Sequence, residues 1–101
     1  MLVEFSILPL GAGDHLSGPL AEILKIVDTC GLPYKLTPGS TCVEGEWQEV
    51  MEVVRLCHLR MRNHSKHVIT TIKIEDEEGV TNKITRNITS VEAAAGRKLS
   101  T

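Results

Sequence analysis

Hydroxyl, carboxylate and aromatic side chains are concentrated in one short part of this 101-residue sequence. The segment runs from Thr37 to Trp47 and carries Ser40, Thr41 and Glu44 between its ends. Side chains of these types can bind a polar organic molecule through hydrogen bonds, one negative charge and an aromatic wall. The alternative interpretation is an ordinary hairpin turn followed by a helix start, because turns are rich in the same residue types.

Other residues with reactive side chains do not form a catalytic pattern. The short motifs of serine hydrolases, nucleotide-binding enzymes and zinc proteases do not occur in the sequence. Cys57 and His58 are adjacent on a predicted helix and point in different directions, which disfavours a nucleophile–base pair. His64 and His67 lie three residues apart across a predicted turn, without further ligands at metal-binding spacing. We therefore predict no catalytic residue, no metal site, no cofactor and no enzymatic activity.

The composition is that of an average globular domain with one hydrophobic core. A formal net charge of −2 lacks the basic surface that nucleic-acid binding needs, so we expect no nucleic-acid partner. Apolar runs are too short to span a membrane and the first residues do not resemble a secretory signal, so we expect no membrane partner and a cytoplasmic location. In that compartment Cys30, Cys42 and Cys57 are expected to be reduced thiols.

The spacing of apolar residues predicts the elements that position these side chains. Alternation predicts strands at 2–9 and 67–75, with a hairpin of strands at 34–37 and 41–44 between them. Helical spacing predicts a first helix capped by Ser17 or Gly18 and ended by Gly31, a second that opens at Glu46, and a third that frays after Ala95. The predicted core stripe of the second helix is Trp47, Val50, Met51, Val54 and Met61, with Cys57 or His58 between.

The order β-α-β-β-α-β is that of the ferredoxin-like sandwich, an α+β fold. We predict a single domain over 1–101, with an antiparallel sheet in the order 4-1-3-2, two helices on one face and an extra C-terminal helix. The opposite face carries Glu4, Ser6 and Leu8 of the first strand and Thr71 of the fourth. An uncovered face that mixes apolar and polar groups is commonly buried against another subunit, so we predict self-association through it.

Two segments resemble a known protein family. GLPYKLTP at 31–38 and TCVEGEWQEV at 41–50 resemble the "SGL-Y-LTPMGT-IEGEWDEVM" stretch of the thiamine-binding MTH1187/YkoF-like family (UPF0045, also DUF77). The first strand, the fourth strand and the last helix are also similar, so the resemblance covers nearly the whole chain. The chain departs from the family at the turn PGST, where relatives carry PMGT, and in the loop at 13–18, where relatives carry a Thr/Ser-rich run.

The resemblance implies a ferredoxin-like subunit that pairs through its sheet face into a homodimer and assembles into a homotetramer. It also implies binding of thiamine or its hydroxymethylpyrimidine moiety, without catalysis, near a subunit interface. Thiamine has a cationic thiazolium ring, an aminopyrimidine and a hydroxyl, and a binder needs matching groups. Glu44 or Glu4 could supply the charge, whereas Ser6, Ser17, Thr41 and Thr71 could supply hydrogen bonds and Leu8, Tyr34 and Trp47 the wall.

Alternative interpretations remain open at this point. Glu4 could instead form an ion pair with Lys73 on the adjacent strand, since opposite charges often face each other across strands. The whole protein could be a structural or regulatory assembly module without a small-molecule ligand. An enzyme of the acylphosphatase type is disfavoured, because the loop from Gly11 to Gly18 contains no basic residue except His15.

Overall fold

The computed structural model describes residues 1–11 and 13–101. Within these residues, seven elements follow one another in the predicted order. They are β1 (Leu2–Leu10), α1 (Ser17–Thr29), β2 (Tyr34–Leu36), β3 (Thr41–Glu44), α2 (Trp47–Met61), β4 (His67–Glu75) and α3 (Lys83–Ala95). The predicted limits of the strands and helices therefore agree with the structure to within about two residues, as is usual for element ends.

The four strands form one antiparallel sheet in the order β2-β3-β1-β4, which is the predicted order. The fold is therefore the α+β, ferredoxin-like sandwich. β1 pairs with β4 along its whole length, from Leu2 to Leu10, but with β3 only from Leu2 to Phe5. The second half of β1 consequently has a partner strand on one side only.

α1 and α2 pack on one face of the sheet and enclose the core. Phe5, at 2% exposure, belongs to this core. The other core side chains are aliphatic or sulphur-containing, because the sequence has few aromatic residues: Val3, Ile7, Ile23, Val27, Val43, Val50, Val53, Val54, Cys57 and Met61. The inward-facing residues of β1 are all buried, as the alternation along this strand predicts.

Trp47 is not a core residue, so its predicted place in the core stripe is wrong. Its side chain is 57% exposed. It is the first residue of α2, which begins at the end of the sheet, where the Gly45 amide donates a hydrogen bond to the Met1 carbonyl. The first turn of the helix is stabilised by a capping box between Glu46 and Glu49 rather than by burial of the indole.

The ends of α1 show how local sequence signals set the limits of a helix. Gly31 follows the last turn with φ +83°, the left-handed conformation that glycine adopts without strain, and confirms the predicted stop. At the other end the predicted cap is wrong by one residue. Ser17 is already helical, and the N-cap is Leu16, which has no side chain able to accept a hydrogen bond from the first amides.

α3 lies against the other face of the sheet, near β3 and the start of β1. We expected no helix on this face of the sheet, and that expectation is wrong for the end of the sheet that α3 covers. Further along β1 the outward side chains of Ser6 and Leu8 are exposed, as are those of Ile69 and Thr71 on β4. These four residues form the uncovered part of this face, the outer patch.

Candidate functional site

The unequal lengths of β1 and β3 create a cleft of about 730 Å³. β3 pairs with β1 no further than Phe5, so the main-chain polar groups of alternate residues in 6–10 face open space instead of a strand. The start of α1 bounds this space on one side and the β2–β3 turn bounds it on the other. A volume of this size suits a small organic ligand.

Hydroxyl groups and apolar walls alternate around this cleft. Four residues that the sequence singled out line it: Ser6, Leu8, Ser17 and Thr41. The sequence reasoning missed the apolar wall from α1, formed by Leu16, Leu20, Ala21 and Leu24. The only signal for this wall was the shortness of the predicted β3, which leaves α1 facing a gap rather than a strand.

The β2–β3 turn closes the cleft with a small hydrogen-bond network. The Ser40 amide donates to Thr37 Oγ1 at 3.1 Å, and the Thr37 amide donates to the Ser40 carbonyl at 2.9 Å. The two hydroxyl oxygens also lie 3.0 Å apart. Ser40 therefore helps to hold this turn together.

The electrostatic character of the cleft favours electronegative atoms over a cation. The lining side chains that the structure describes include hydroxyls but no charged group. The first amides of α1 have no side-chain cap and lie at the cleft, where the helix dipole adds positive potential. A heterocycle with ring nitrogens as acceptors fits these donors.

Glu4 lies two residues before Ser6 on the same face of β1, about 6.6 Å away by strand geometry. It lines a second cleft, of about 610 Å³, between the sheet and α3. The two clefts share the wall formed by residues 36–38.

Lys73 faces Glu4 in the register, but within the described ranges 1–11 and 13–101 the two side chains form no ion pair within 4.0 Å. The Glu4 carboxylate is therefore exposed and available.

Cys42 lies beside this carboxylate on β3. Its Sγ is 3.9 Å from Glu4 Oε2. Partial burial, together with the negative charge of Glu4, raises the pKa of the Cys42 thiol. The thiol therefore stays protonated near neutral pH, and it is a weak donor to Glu4 rather than a nucleophile.

Glu44 has a structural role that the sequence did not reveal. It is 6% exposed and accepts hydrogen bonds from the main-chain amides of Lys83 and Ile84, at 2.7 Å and 3.2 Å. Both carboxylate oxygens are thus used at the start of α3. Of the two carboxylates considered for a cationic ligand, Glu4 is the one whose oxygens remain accessible.

Three further candidate residues lie outside both clefts. The Tyr34 hydroxyl donates to Asp28 at 2.5 Å, which raises the pKa of the tyrosine and ties β2 to α1. Thr71 lies on the outer patch opposite Ser6, and Trp47 is exposed at the start of α2. The structure therefore brings together part of the predicted set and distributes the rest over the surface.

Residues 1–11 and 13–101 contain no group of three or more His, Cys, Asp or Glu side chains that could hold a metal ion. None of the helices in these ranges has the length and apolar character needed to cross a membrane.

The strand order and the cleft define the class of the protein: a ferredoxin-like α+β sandwich with a ligand-sized cleft at one end of its sheet. The family model described as "Thiamine-binding protein" matches residues 3–92. A UPF0045 protein of Mycobacterium bovis is 33% identical over 93 residues, or 91% of each chain. The chain belongs to this thiamine-binding protein family, as its sequence resemblance indicated.

Solved structures show the same fold. A hypothetical protein of Methanocaldococcus jannaschii superposes with a TM-score of 0.82 at 23% identity, over 89% of this chain and 93% of that one. A Thermotoga maritima protein assigned provisionally to thiamine biosynthesis or salvage superposes with a TM-score of 0.77 at 20% identity, over 89% and 96%. The description of the family names binding of thiamine and no reaction.

Proposed function

We propose that this protein binds thiamine or its hydroxymethylpyrimidine moiety without catalysing a reaction. The observation that carries the proposal is the cleft beside the unpaired half of β1, which combines apolar walls, hydroxyls and free main-chain groups. An aminopyrimidine presents donors and acceptors along one planar edge, and a strand edge presents the complementary alternation. The membership of a family named for thiamine binding supports the same ligand.

In this proposal the two rings of thiamine occupy different electrostatic environments. The pyrimidine lies in the uncharged cleft, near Ser6 and Ser17, where the start of α1 favours its ring nitrogens. The thiazolium cation points toward Glu4, whose carboxylate is exposed on the adjacent part of the same face. The lining residues that the structure describes include no acid–base pair for chemistry on the bound molecule, which supports a binding role.

We also propose that the outer patch pairs with a second copy of the chain in the cytoplasm, so that the ligand lies near a subunit interface. Leu8 and Ile69 face each other in the register and are 48% and 47% exposed. Burial of such side chains is favourable by about 25 cal/mol per Å². The same observation favours the alternative function, an assembly module without a ligand, and only a binding experiment separates the two.

Calorimetry and thermal unfolding with thiamine and with hydroxymethylpyrimidine test the proposal. Both compounds should release or absorb heat and raise the melting temperature, because a ligand that binds the folded state stabilises it. Ala21→Phe fills the cleft from its exposed α1 wall and should weaken both compounds about tenfold or more. Lys25→Phe, one turn further along α1 and outside the cleft, is the matched control and should bind normally. No heat and no thermal shift at millimolar ligand would leave the assembly module as the function.

A further inference from the structure

Lys35 on β2 lines the second cleft as a basic side chain without a carboxylate partner among the described residues. It is exposed, and in the part of the chain that the structure describes its ammonium group forms no ion pair within 4.0 Å. The cleft is also lined by Lys83, but the Nζ of that residue lies 2.5 Å from Glu77 and 3.2 Å from Glu75. The positive charge available to a ligand in this cleft is therefore that of Lys35.

The strand register places this lysine in line with the Glu4 carboxylate. Lys35 of β2 faces Cys42 of β3, and Cys42 faces Glu4 of β1. Directly paired residues point to the same face of a sheet, and all three of these residues line the second cleft. Two strand spacings separate the Cα atoms of Lys35 and Glu4, or about 10 Å. The cleft therefore presents a cation and an anion on one face, with the protonated thiol of Cys42 between them.

These two charges do not form an ion pair with each other within 4.0 Å, so both remain available to a ligand. A ligand that is only a cation is attracted by Glu4 and repelled by Lys35. A ligand that carries both signs of charge is attracted by both side chains, provided that its own charges have a similar spacing. Leu36, Ile84 and Ile88 form apolar walls of the same cleft, and a less polar surrounding strengthens each attraction.

We propose that the protein selects a phosphate ester of its cationic ligand, with the thiazolium ring against Glu4 and the phosphate at Lys35. This inference rests on the proposed function, because it takes the pyrimidine to lie in the first cleft. A two-carbon arm joins the thiazolium ring to its hydroxyl, so a phosphate on that hydroxyl lies a few bonds beyond the cation. The cationic ring then lies between the phosphate and Glu4 and reduces their repulsion.

The chemistry of a phosphate monoester fits the groups at this end of the cleft. Such an ester carries a charge of about −1.5 to −2 near pH 7 and has three acceptor oxygens. Lysine binds phosphate as a compact charge with three donors, and its flexible four-carbon stem allows Nζ to follow the ligand. The hydroxyls of Ser100 and Thr101 also line the cleft and can donate to phosphate oxygens.

Calorimetry at low salt with thiamine, thiamine monophosphate and hydroxymethylpyrimidine tests this inference. The wild-type protein should bind the monophosphate about fivefold more tightly than thiamine, the effect of one exposed ion pair. Lys35→Met keeps most of the side-chain length and removes the charge. It should weaken the monophosphate about fivefold, strengthen thiamine slightly because a repulsion is lost, and leave hydroxymethylpyrimidine unchanged. Damage to the fold would weaken all three compounds, so it cannot produce this pattern.

Lys66→Met is the matched control, because Lys66 is exposed and lies outside both clefts. It should bind all three compounds like the wild type. Sodium chloride at about 0.5 M should remove most of the preference for the monophosphate, since salt screens exposed charges.

The possible results separate this inference from the proposed function. A wild-type protein that binds thiamine but not the monophosphate more tightly would overturn the inference alone. A preference that survives in Lys35→Met, or that salt leaves unchanged, would do the same. A wild-type protein that binds none of the three compounds would overturn both the inference and the proposed function.

Discussion

The Glu44 carboxylate accepts a 2.7 Å hydrogen bond from the main-chain amide of Lys83, 39 residues further along the chain. The residue before α3, Asn82, has a left-handed φ of 58° and makes no side-chain cap. Glu44 therefore does from β3 what an N-cap residue normally does from within the helix. A negative charge at this end also interacts favourably with the helix dipole. The last residue of β3 thus fixes where α3 begins.

Glu44→Gln should lower the free energy of unfolding by about 1–2 kcal/mol, because a charge-assisted pair of hydrogen bonds becomes neutral and incomplete. Urea unfolding measures this change, and hydrogen exchange should show faster exchange of the Lys83 and Ile84 amides. Glu78→Gln, in the exposed turn between β4 and α3, is the matched control and should change stability little. Equal losses in the two variants would show that Glu44 is not a cap.

Glu4→Gln should weaken thiamine about fivefold and leave hydroxymethylpyrimidine unchanged, because only thiamine carries the cationic ring and exposed ion pairs contribute about 1 kcal/mol. Calorimetry on both compounds gives the two affinities. Asp76→Asn removes the same charge from an exposed turn outside both clefts. If Glu4→Gln weakens both compounds alike, the carboxylate is not the counter-charge.

Glu75 should make part of the stability depend on pH. Hydrogen bonds from Asn87 and from Lys83 lower the pKa of its carboxyl in the folded state. A lowered folded pKa gives stabilisation that is fully present above the unfolded value of about 4.3 and is lost as pH falls through the folded pKa. Glu75→Gln should therefore be less stable than wild type at pH 7, and the difference should shrink in acid.

Urea unfolding between pH 7 and pH 2 measures this difference. Asp76→Asn is the control, since Asp76 is exposed next to Glu75 but forms none of the hydrogen bonds found among the described residues. A constant difference between Glu75→Gln and wild type over the whole range would argue against the hydrogen bonds as the cause.

Cys57 should be the least reactive of the three cysteines. Burial, with a smaller effect of Cys30, raises the pKa of the Cys57 thiol to about 12, and its Sγ lies 3.8 Å from the Ile23 carbonyl. At pH 8 almost no thiolate exists there, and the thiolate is the form that reacts. Iodoacetamide should modify the half-buried Cys30 before Cys57, which should react only in urea. Mass spectrometry of the peptides measures this order, and rapid native modification of Cys57 would refute it.

The sequence by itself determined the elements, the strand order and the family. Period-two alternation gives the buried face of β1 because successive side chains must point to opposite faces, and Gly31 ends α1 because glycine adopts positive φ readily. The segments at 31–38 and 41–50 carried enough specific residues to indicate the thiamine-binding family. These features depend on local geometry or on residue identity, and both can be read along the chain.

The tertiary structure decided which polar residues are available. Glu4 and Glu44 have the same side chain on neighbouring strands, yet the start of α3 meets Glu44 and leaves Glu4 exposed. Trp47 has the right helical phase for the core, but its helix begins where the sheet ends. The cleft arises from the difference in length between β1 and β3 together with the position of α1. Each of these outcomes depends on contacts between residues far apart in sequence, which periodicity and composition do not specify.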